Sequence, residues 1–516
     1  MYKVRVLQEI DDRLDAEYYN PAALSTLKKM ENKGTVTTFG SLVNEGYRVV
    51  YHGTDSINGL KDSELLPFLS PTQIDPNGAI SFDDADKLPL YYKERYPKGL
   101  AKVGEILVEV KGNVSKVGIV PLDFPKNLMI SGSLYKATLD PKRADSHYVL
   151  AFLKSRHGQI LKNRLTSNTI INYIAKDALY SIPVIEFGEK AQKYIGDKVR
   201  QAEQLRAWAK STQDSIKSYF DGLMPDLDLQ SRVYKAPIKS LDNRMDATYY
   251  LPKYVELDSY FATKSHNVRP LAHYIENKIS GPAIPSNQFY TSGTGVLVLQ
   301  TKDIRENYID KKTCSKITKS SADELTRFQV GAGTLLMGMS GTIGRTALVF
   351  DPNEKYIINQ RVAALILNDI KISGYLCAYL NHSFGRHQLQ RQSVGGVQAN
   401  IGLSEISSTK ILVADRGYAE KISELFIESL IAQKLSTTLT DAAKTLVEAL
   451  IEGQLTEQQL IQAQQTLDDG DNSLDQAILS KLSNEGYAID GATPLFSDID
   501  ELYRLLVSAA QAEAEE

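Results

Sequence analysis

The chain contains an internal repeat, and this repeat constrains its fold more than any other feature of the sequence. Residues 13–19, RLDAEYY, return as residues 244–250, RMDATYY, and a proline follows two positions after each copy. Further segments align at offsets between 228 and 231: 104–108 with 333–337, 111–114 with 340–343, 130–139 with 358–367, and 182–184 with 411–413. A duplication on this scale in a chain of 516 residues predicts two similar domains, because one hydrophobic core rarely organises so long a chain.

Each copy mixes short strands with short helices. Apolar stretches between glycine, proline and asparagine turns predict strands at 104–110, 118–120, 295–299 and 363–367. Residues 147–161 and 373–389 have the pattern of short helices. We therefore expect each copy to fold as an α+β domain with a curved sheet. The paired tyrosines at 18–19 and 249–250 are expected to fasten the start of each domain to its neighbours.

A long helical segment follows each copy. Residues 188–224 and 418–454 carry apolar side chains three and four positions apart, which is the spacing of one helix face. The first segment ends at Asp221 and Gly222, with Pro225 close behind, as helices commonly do. At a rise of roughly 1.5 Å per residue, such a helix is about 54 Å long. The spacing predicts two helices that pack on each other and hold two domains apart.

The charge of the chain is unevenly distributed. Residues 455–516 contain 13 acidic and 2 basic residues, a net charge of −11, so residues 1–454 carry +7 within a whole-chain charge of −4. A modest positive excess permits DNA binding that is shared with partners, but does not require it. The acidic segment has helix-like apolar spacing, so we expect it to fold or dock. It is either a solubilising appendage or a segment that imitates the charge of DNA or recruits a partner.

Composition also indicates where the protein acts. The amino terminus is polar and does not look like a signal peptide, and no apolar run approaches the ~20 residues that a membrane-spanning helix needs. Two cysteines, Cys314 and Cys377, cannot make a disulfide framework or a four-ligand zinc site. We therefore expect a cytoplasmic protein with reduced thiols, without a metal or another cofactor.

Two sequence motifs connect the repeat to a known family. Residues 340–345, SGTIGR, followed by residues 357–362, IINQRV, resemble the recurrent signature of target recognition domains in specificity subunits of type I restriction–modification systems. Residues 182–184, IPV, leading into a long helix, resemble the usual exit from such a domain. The resemblance covers residues 1 to about 454. The first copy departs from the signature, with KGNVSK at 111–116 and SGS at 131–133, and the acidic segment is not part of the family plan.

The resemblance implies a DNA-recognition subunit without a catalytic centre of its own. Each target recognition domain would read one half of a split DNA sequence, and the long helices would form an antiparallel coiled coil. Its partners would be double-stranded DNA, two adenine methyltransferase subunits and, in the full complex, restriction subunits that translocate DNA. The implied domains are a first target recognition domain (1–187), a central helix (188–224), a second target recognition domain (225–415), a distal helix (416–454) and an acidic helical extension (455–516).

Candidate DNA contacts are polar residues in glycine-flanked loops. Arginine and lysine suit guanine, and asparagine and glutamine suit adenine, because their donor and acceptor groups match the major-groove edges of these bases. Phosphate contacts would set the position of the protein on DNA. The candidates in the first domain are Lys111, Asn113, Lys116, Lys162, Asn163, Arg164 and Asn168. The candidates in the second domain are Lys302, Arg305, Thr342, Arg345, Gln360, Arg361, Arg391, Gln392 and Gln398.

Two alternatives predict other functions. Glu109 and Lys111, with an upstream acid at Asp83, Asp84 or Asp86, resemble part of a nuclease metal site, and cutting by the purified chain that Glu109→Ala abolishes would favour a metal-dependent nuclease. The second copy has Gly338 and Ser340 at the matching positions, which argues against this alternative. The other alternative is a coiled-coil scaffold that does not touch DNA, whose function would survive joint replacement of Gln360, Arg361 and Gln392.

Overall fold

The computed structural model describes residues 17–82, 85–166, 172–230, 235, 241, 244, 246–394 and 399–515. The chain divides into two compact units. The first unit contains Met1–Ala207 together with Gln433–Glu516, and the second contains Trp208–Ala432. Each unit therefore holds one copy of the repeat and parts of both long helices.

The first copy is built from short strands and helices, and a long helix follows them along the chain. Its strands are β1 (Thr35–Thr38), β2 (Val43–Tyr47), β3 (Leu65–Leu69), β4 (Asp86–Pro89), β5 (Ile106–Glu109), β6 (Lys111–Gly112), β7 (Val117–Ile119), β8 (Met129–Ile130), β9 (Leu134–Leu139), β10 (Asn172–Tyr173) and β11 (Pro183–Glu186). Its helices are α1 (Pro21–Glu31), α2 (Phe39–Leu42), α3 (Tyr92–Arg95), α4 (Ser146–Lys154), α5 (Arg156–Asn163), α6 (Lys176–Tyr180) and the long α7 (Glu189–Leu223).

The second copy has the same plan. Its strands are β12 (Val268–Pro270), β13 (Ile275–Ser280), β14 (Val296–Leu299), β15 (Ser315–Ile317), β16 (Gln329–Val330), β17 (Leu335–Gly338), β18 (Thr346–Leu348), β19 (Tyr356–Ile358), β20 (Val362–Leu367) and β21 (Lys410–Leu412). Its helices are α8 (Pro252–Thr263), α9 (Lys319–Asp323), α10 (Ser373–Asn381), α11 (Ser383–Gln392), α12 (Leu403–Ser407) and the long α13 (Arg416–Glu452).

The sheets confirm that the two copies share one fold. The first copy has an antiparallel sheet in the order β2-β9-β5-β7, and the second has β13-β20-β17-β18. A second sheet in each copy contains a parallel pair, β3 with β8 and β14 with β19. The register also repeats, since Ile106 lies opposite Ala137 and Leu335 lies opposite Leu365. The predicted α+β class with two similar domains is therefore correct.

Each of the two segments predicted as a short helix, 147–161 and 373–389, in fact forms two helices. The first copy breaks between α4 and α5 at Ser155, and the second breaks between α10 and α11 at His382, where the backbone is extended. The two halves approach closely because a glycine follows each break. A Cβ atom on Gly158 would lie 2.0 Å from the Phe152 carbonyl oxygen, and one on Gly385 would lie 2.4 Å from the Leu380 Cα. Apolar periodicity does not reveal such a break, since both halves face the same core.

The long helices α7 and α13 run antiparallel. In the first unit, Arg206 Nη2 donates to Thr440 Oγ1 at 3.2 Å. In the second unit, Gln213 Nε2 donates to Ser429 Oγ at 3.0 Å, and the rings of Tyr219 and Tyr418 lie 5.0 Å apart. The residue numbers on α13 fall as those on α7 rise. The paired helices fit the coiled coil that the family resemblance implies.

The acidic extension is folded and docked within the first unit. It forms α14 (Glu457–Asp468), α15 (Ser473–Leu479), a hairpin of β22 (Leu482–Ser483) and β23 (Gly486–Tyr487), and α16 (Ile499–Glu515). The Asp475 carboxylate lies 2.7 Å from the Lys198 ammonium on α7, and both side chains are only 1% exposed. The same carboxylate accepts hydrogen bonds from the hydroxyls of Tyr194 and Tyr503. The prediction of a small helical extension is therefore correct.

Among the described residues, we find no helix that is both long and apolar enough to span a membrane.

Candidate nucleic-acid interface

The second copy has an open cavity of about 320 Å³ between two loops. One wall is the 3-10 turn after β14, and the other is the connection between β17 and β18. The cavity is lined by Thr301, Lys302, Ile304, Arg305, Gly338, Ser340, Gly341, Thr342 and Arg345. Four of the nine candidates in this domain, Lys302, Arg305, Thr342 and Arg345, therefore meet in one place.

A buried carboxylate shapes the first wall. Asp303 is fully buried, and its carboxylate accepts from the Gln300 backbone N–H at 2.8 Å and from Thr313 Oγ1 at 2.7 Å. These bonds hold the tight turn Thr301–Asp303, so that Lys302 is exposed on its outer side. The buried Asp303 carboxylate accepts from these neutral donors, and the turn that it holds presents Lys302 at the cavity.

The second wall needs glycine to approach the first. A Cβ atom on Gly338 would lie 2.8 Å from Thr301 Cγ2, so a larger residue would push the two walls apart. Thr301 Oγ1 donates to the Arg361 carbonyl oxygen at 3.3 Å, and the Met339 N–H donates to the same oxygen at 2.7 Å. The turn that carries Arg361 is therefore tied to both walls.

The cavity carries positive charge without equal compensation. Arg305 lies 3.3 Å from Asp310 in an ion pair. By contrast, Lys302 and Arg345 form no ion pair with any carboxylate in the part of the chain that the structure describes. Tyr308 is 47% exposed beside these cations. Burial raises the pKa of the Tyr308 phenol and Asp310 adds to this, whereas Arg305 and Arg345 lower it.

Tyr308 lies three residues after Arg305 but is not among the candidates predicted from the sequence. An aromatic ring beside two guanidinium groups can stack on a base or pack against a sugar. Only the tertiary structure brings Arg345, which is distant in sequence, close enough to Tyr308 to lower the pKa of its phenol.

Gln360 and Arg361 lie on an exposed turn between β19 and β20. Arg361 has a φ of 67°, in the left-handed region that non-glycine residues rarely adopt. The buried Asn359 supports the turn, because its side-chain oxygen accepts from the Ile284 N–H at 3.3 Å and the Gln360 N–H at 2.8 Å. Both exposed side chains extend the polar surface beside the cavity.

The Arg391 side chain and the backbone of Gln392 serve the fold of the second copy. The Arg391 Nε donates to the Tyr249 carbonyl oxygen at 2.9 Å, its guanidinium lies 4.2 Å from the centre of the Tyr249 ring, and it pairs with Asp258. The Gln392 carbonyl oxygen accepts from Arg244. This packing confirms that the paired tyrosines fasten the start of the domain. Gln398 lies outside the described residues.

The first copy repeats this fastening. Arg164, which aligns with Arg391, lies 4.5 Å from the centre of the Tyr18 ring and is 9% exposed. Asn163 is exposed at the end of α5. Asn168 lies outside the described residues.

The turn that carries Lys111, Asn113 and Lys116 is organised from within by Glu109. The Glu109 carboxylate is 5% exposed and accepts from the backbone N–H groups of Asn113 at 3.2 Å, Ser115 at 3.0 Å and Lys116 at 3.1 Å. Glu109 is therefore a turn anchor. No metal-ligating cluster of three His, Cys, Asp or Glu side chains occurs among the described residues, and Asp83 and Asp84 lie outside them.

Lys162 is fully buried beneath the same turn, in contrast to the exposed Lys111 and Asn113. Its ammonium donates to the carbonyl oxygen of Val114, a residue whose φ is 56°. The pKa of Lys162 is lowered to about 7, mainly by burial and also by the nearby charge of Lys154, whereas Glu109 opposes the shift. This geometry makes Lys162 a support of the turn, out of reach of an external ligand.

Replacing Lys162 by methionine is expected to remove a pH dependence of stability. The folded-state pKa is about 7 and the unfolded value is about 10.4, so between them the unfolded chain binds the extra proton. The free energy of unfolding of the first unit therefore rises with pH across this window, by at most about 1.4 kcal/mol per pH unit. Urea unfolding at pH 7, 8 and 9 measures the slope, and Lys111→Met, which changes an exposed lysine, should retain it. Equal slopes in the wild type and Lys162→Met would contradict the assignment.

Comparison with known proteins identifies the class of the second copy. Residues 272–433 match the family model described as the type I restriction modification DNA specificity domain. This segment contains both walls of the cavity and the turn with Gln360 and Arg361. The match confirms the resemblance to type I specificity subunits over residues 272–433.

The solved structures to which this chain is similar include two from type I systems. The S subunit of a type I restriction–modification system from M. genitalium has 14% identity and a TM-score of 0.40, over 81% of this chain and 95% of that one. The HsdS subunit from Thermoanaerobacter tengcongensis has 14% identity and a TM-score of 0.27, over 82% of this chain and 97% of that one. No curated protein sequence matches the chain.

Proposed function

We propose that this chain is the sequence-specific DNA-recognition subunit of a type I-like restriction–modification complex and that it binds a bipartite target with one domain for each half-site. The observation that carries the proposal is the cavity in which Lys302 and Arg345 converge. Uncompensated cations on glycine-shaped loops suit a polyanion whose bases also offer hydrogen-bond acceptors. The chain itself would be non-catalytic and would act in the cytoplasm.

The cavity residues divide into two roles. Lys302, on an exposed turn, suits a phosphate contact that sets the position of the protein. Arg345 and Thr342, on the connection between β17 and β18, suit base edges, and the guanidinium favours guanine O6 and N7. Gln360 and Arg361 extend this surface. In the first domain, the corresponding contacts would come from Lys111, Asn113 and Lys116.

The long helices would dock the partners. Two adenine methyltransferase subunits would bind the pair formed by α7 and α13, and restriction subunits would join in the full complex. The proposed division of the chain is the one inferred from the sequence, with recognition domains at 1–187 and 225–415. The positions of the long helices support this division, because α7 follows the first copy of the repeat and α13 follows the second.

A base-resolution methylation map of host DNA, with and without this chain, tests the proposal. We expect deletion of the chain to abolish methylation of a two-part motif with a fixed gap between the parts. Exchange of residues 1–187 for the corresponding domain of another specificity subunit should then change one half of the motif and leave the other. An unchanged map after deletion would refute the proposed function.

A further inference from the structure

A half-buried arginine in the first copy lies where no candidate was predicted. Arg48 directly follows β2, and its Nε donates to the Gly132 carbonyl oxygen at 2.7 Å. Its Nη1 donates to the Tyr173 hydroxyl at 3.3 Å, and the guanidinium lies 5.4 Å from the centre of the Tyr173 ring. Two hydrogen bonds and an aromatic ring therefore fix the orientation of this side chain.

The surroundings of Arg48 belong to the proposed recognition surface. Tyr173 lies on β10 directly opposite Lys111 on β6. Gly132 lies in the turn between β8 and β9, and this turn aligns with the turn of Gln360 and Arg361 in the second copy. Arg48 thus joins two segments that the repeat places at the DNA-reading edge.

The strand registers show which residue corresponds to Arg48. Tyr47 lies opposite Lys136 on β9, and Ile279 lies opposite Ala364, the equivalent of Lys136, on β20. Ser280 therefore stands at the position of Arg48 in the second copy. Conversely, the turn between β8 and β9 reads Ser-Gly-Ser at 131–133, where the second copy has Asn-Gln-Arg at 359–361.

In each copy a strand end packs against a turn; glycine and arginine exchange places between these two segments from one copy to the other. In the first, a Cβ atom on Gly132 of the turn would lie 2.7 Å from the Val49 carbonyl oxygen of the strand end. In the second, the glycine is Gly281 of the strand end, where a Cβ atom would lie 2.1 Å from the Ile358 carbonyl oxygen. The strand end and the turn therefore touch in both copies. In each copy the arginine lies on the segment that lacks the glycine: Arg48 on the strand end of the first copy, and Arg361 on the turn of the second.

The guanidinium of Arg48 retains donors and charge for a ligand. Arginine has five N–H donors, and the two bonds above use two of them. Among the described residues, Arg48 forms no ion pair with a carboxylate. A fixed fork of donors with an uncompensated charge matches the paired acceptors of a guanine edge better than a mobile surface arginine would.

We infer that Arg48 is a specificity-determining residue of the first recognition domain, where it reads a guanine as the counterpart of Arg361 in the second. The inference rests on the proposed DNA-recognition function. It explains how the first copy keeps a base-reading cation although its turn has lost the Asn-Gln-Arg sequence.

Methylation maps of cells that contain the full complex with Arg48→Lys test the inference, and Arg361→Lys is the matched control. Lysine keeps the charge but loses the two-pronged fork. We expect Arg48→Lys to relax one guanine position in one half of the motif, with about 10- to 100-fold weaker binding of that half-site, and to leave the other half unchanged. Arg361→Lys should relax a position in the opposite half only.

Several outcomes would overturn the inference. An unchanged motif with Arg48→Lys would do so, as would equal weakening for every base at each position, which indicates a phosphate contact. If Arg48→Lys unfolds the domain, Tyr173→Phe serves instead, because it removes the hydrogen bond to Arg48 and keeps the ring. It should relax the same position more weakly, and an unchanged motif would again refute the role. If the proposed function itself fails, the wild-type chain produces no two-part motif, which is a different result.

Discussion

Replacing Asp475 by asparagine is expected to lower the free energy of unfolding of the first unit by about 3–5 kcal/mol. Asp475 and Lys198 are both 1% exposed and lie 2.7 Å apart. The substitution removes the negative charge and leaves the Lys198 ammonium buried without its counter-ion. Tyr194 and Tyr503 donate to different oxygens of the carboxylate, and asparagine keeps only one of these oxygens, so one hydroxyl would lose its acceptor as well.

Hydrogen exchange of the amides of residues 189–207, the part of α7 that belongs to the first unit, measures this effect during urea titration. The matched control is Asp468→Asn, since Asp468 pairs with Lys193 at 3.2 Å but the two side chains are 45% and 48% exposed. An exposed pair of this kind contributes little, because water screens the attraction between the two charges. The double variant Asp475→Leu with Lys198→Met should recover most of the stability, because it removes both buried charges. A loss no larger than that of the control would show that the buried pair does not hold the extension.

This docking changes how the role of the acidic extension can be tested. Deletion of residues 455–516 would uncover Lys198 and Tyr194, so a change in DNA affinity would mix charge effects with lost stability. Neutralising the exposed carboxylates of Asp469, Glu485 and Asp490 leaves the buried contacts in place. That variant separates a restraint on DNA binding by acidic charge from a structural role.

Joint replacement of Lys302 and Arg345 by alanine is expected to weaken binding of one half-site by about 100-fold. Each lost phosphate contact lowers the salt dependence of binding by about one unit in the log–log slope, and each lost base contact costs about 1–3 kcal/mol. Both side chains line the cavity, and neither pairs with a carboxylate within the described segments. Their loss therefore leaves no buried charge unpaired and should not destabilise the fold.

Fluorescence anisotropy with DNA that carries the motif, at several salt concentrations, measures this effect. Separate substitutions divide the roles: Lys302→Ala should reduce affinity equally for all sequences, and Arg345→Ala should relax one base position. Lys371→Ala, at an exposed lysine outside the cavity lining, is the control and should bind like the wild type. Wild-type affinity and salt dependence in the double variant would rule the cavity out as a DNA contact.

The sequence alone predicted the features that depend on local pattern or on self-similarity. The repeat predicted two similar α+β domains, because segments of similar sequence in the two copies form equivalent strands. Apolar spacing predicted the long helices α7 and α13, since a helix face is a property of neighbouring residues. The same spacing in residues 455–516 predicted a folded extension, although the segment is strongly acidic.

The tertiary structure alone decided which polar side chains are available to a ligand. Lys162 and Lys302 looked equivalent as lysines near glycine turns, yet one is buried and the other exposed. Arg48 went unnoticed because its significance comes from Gly132 and Tyr173, which are distant in sequence. Exposure, pairing and orientation depend on contacts between residues far apart along the chain, and in a single sequence such contacts leave no periodic signal.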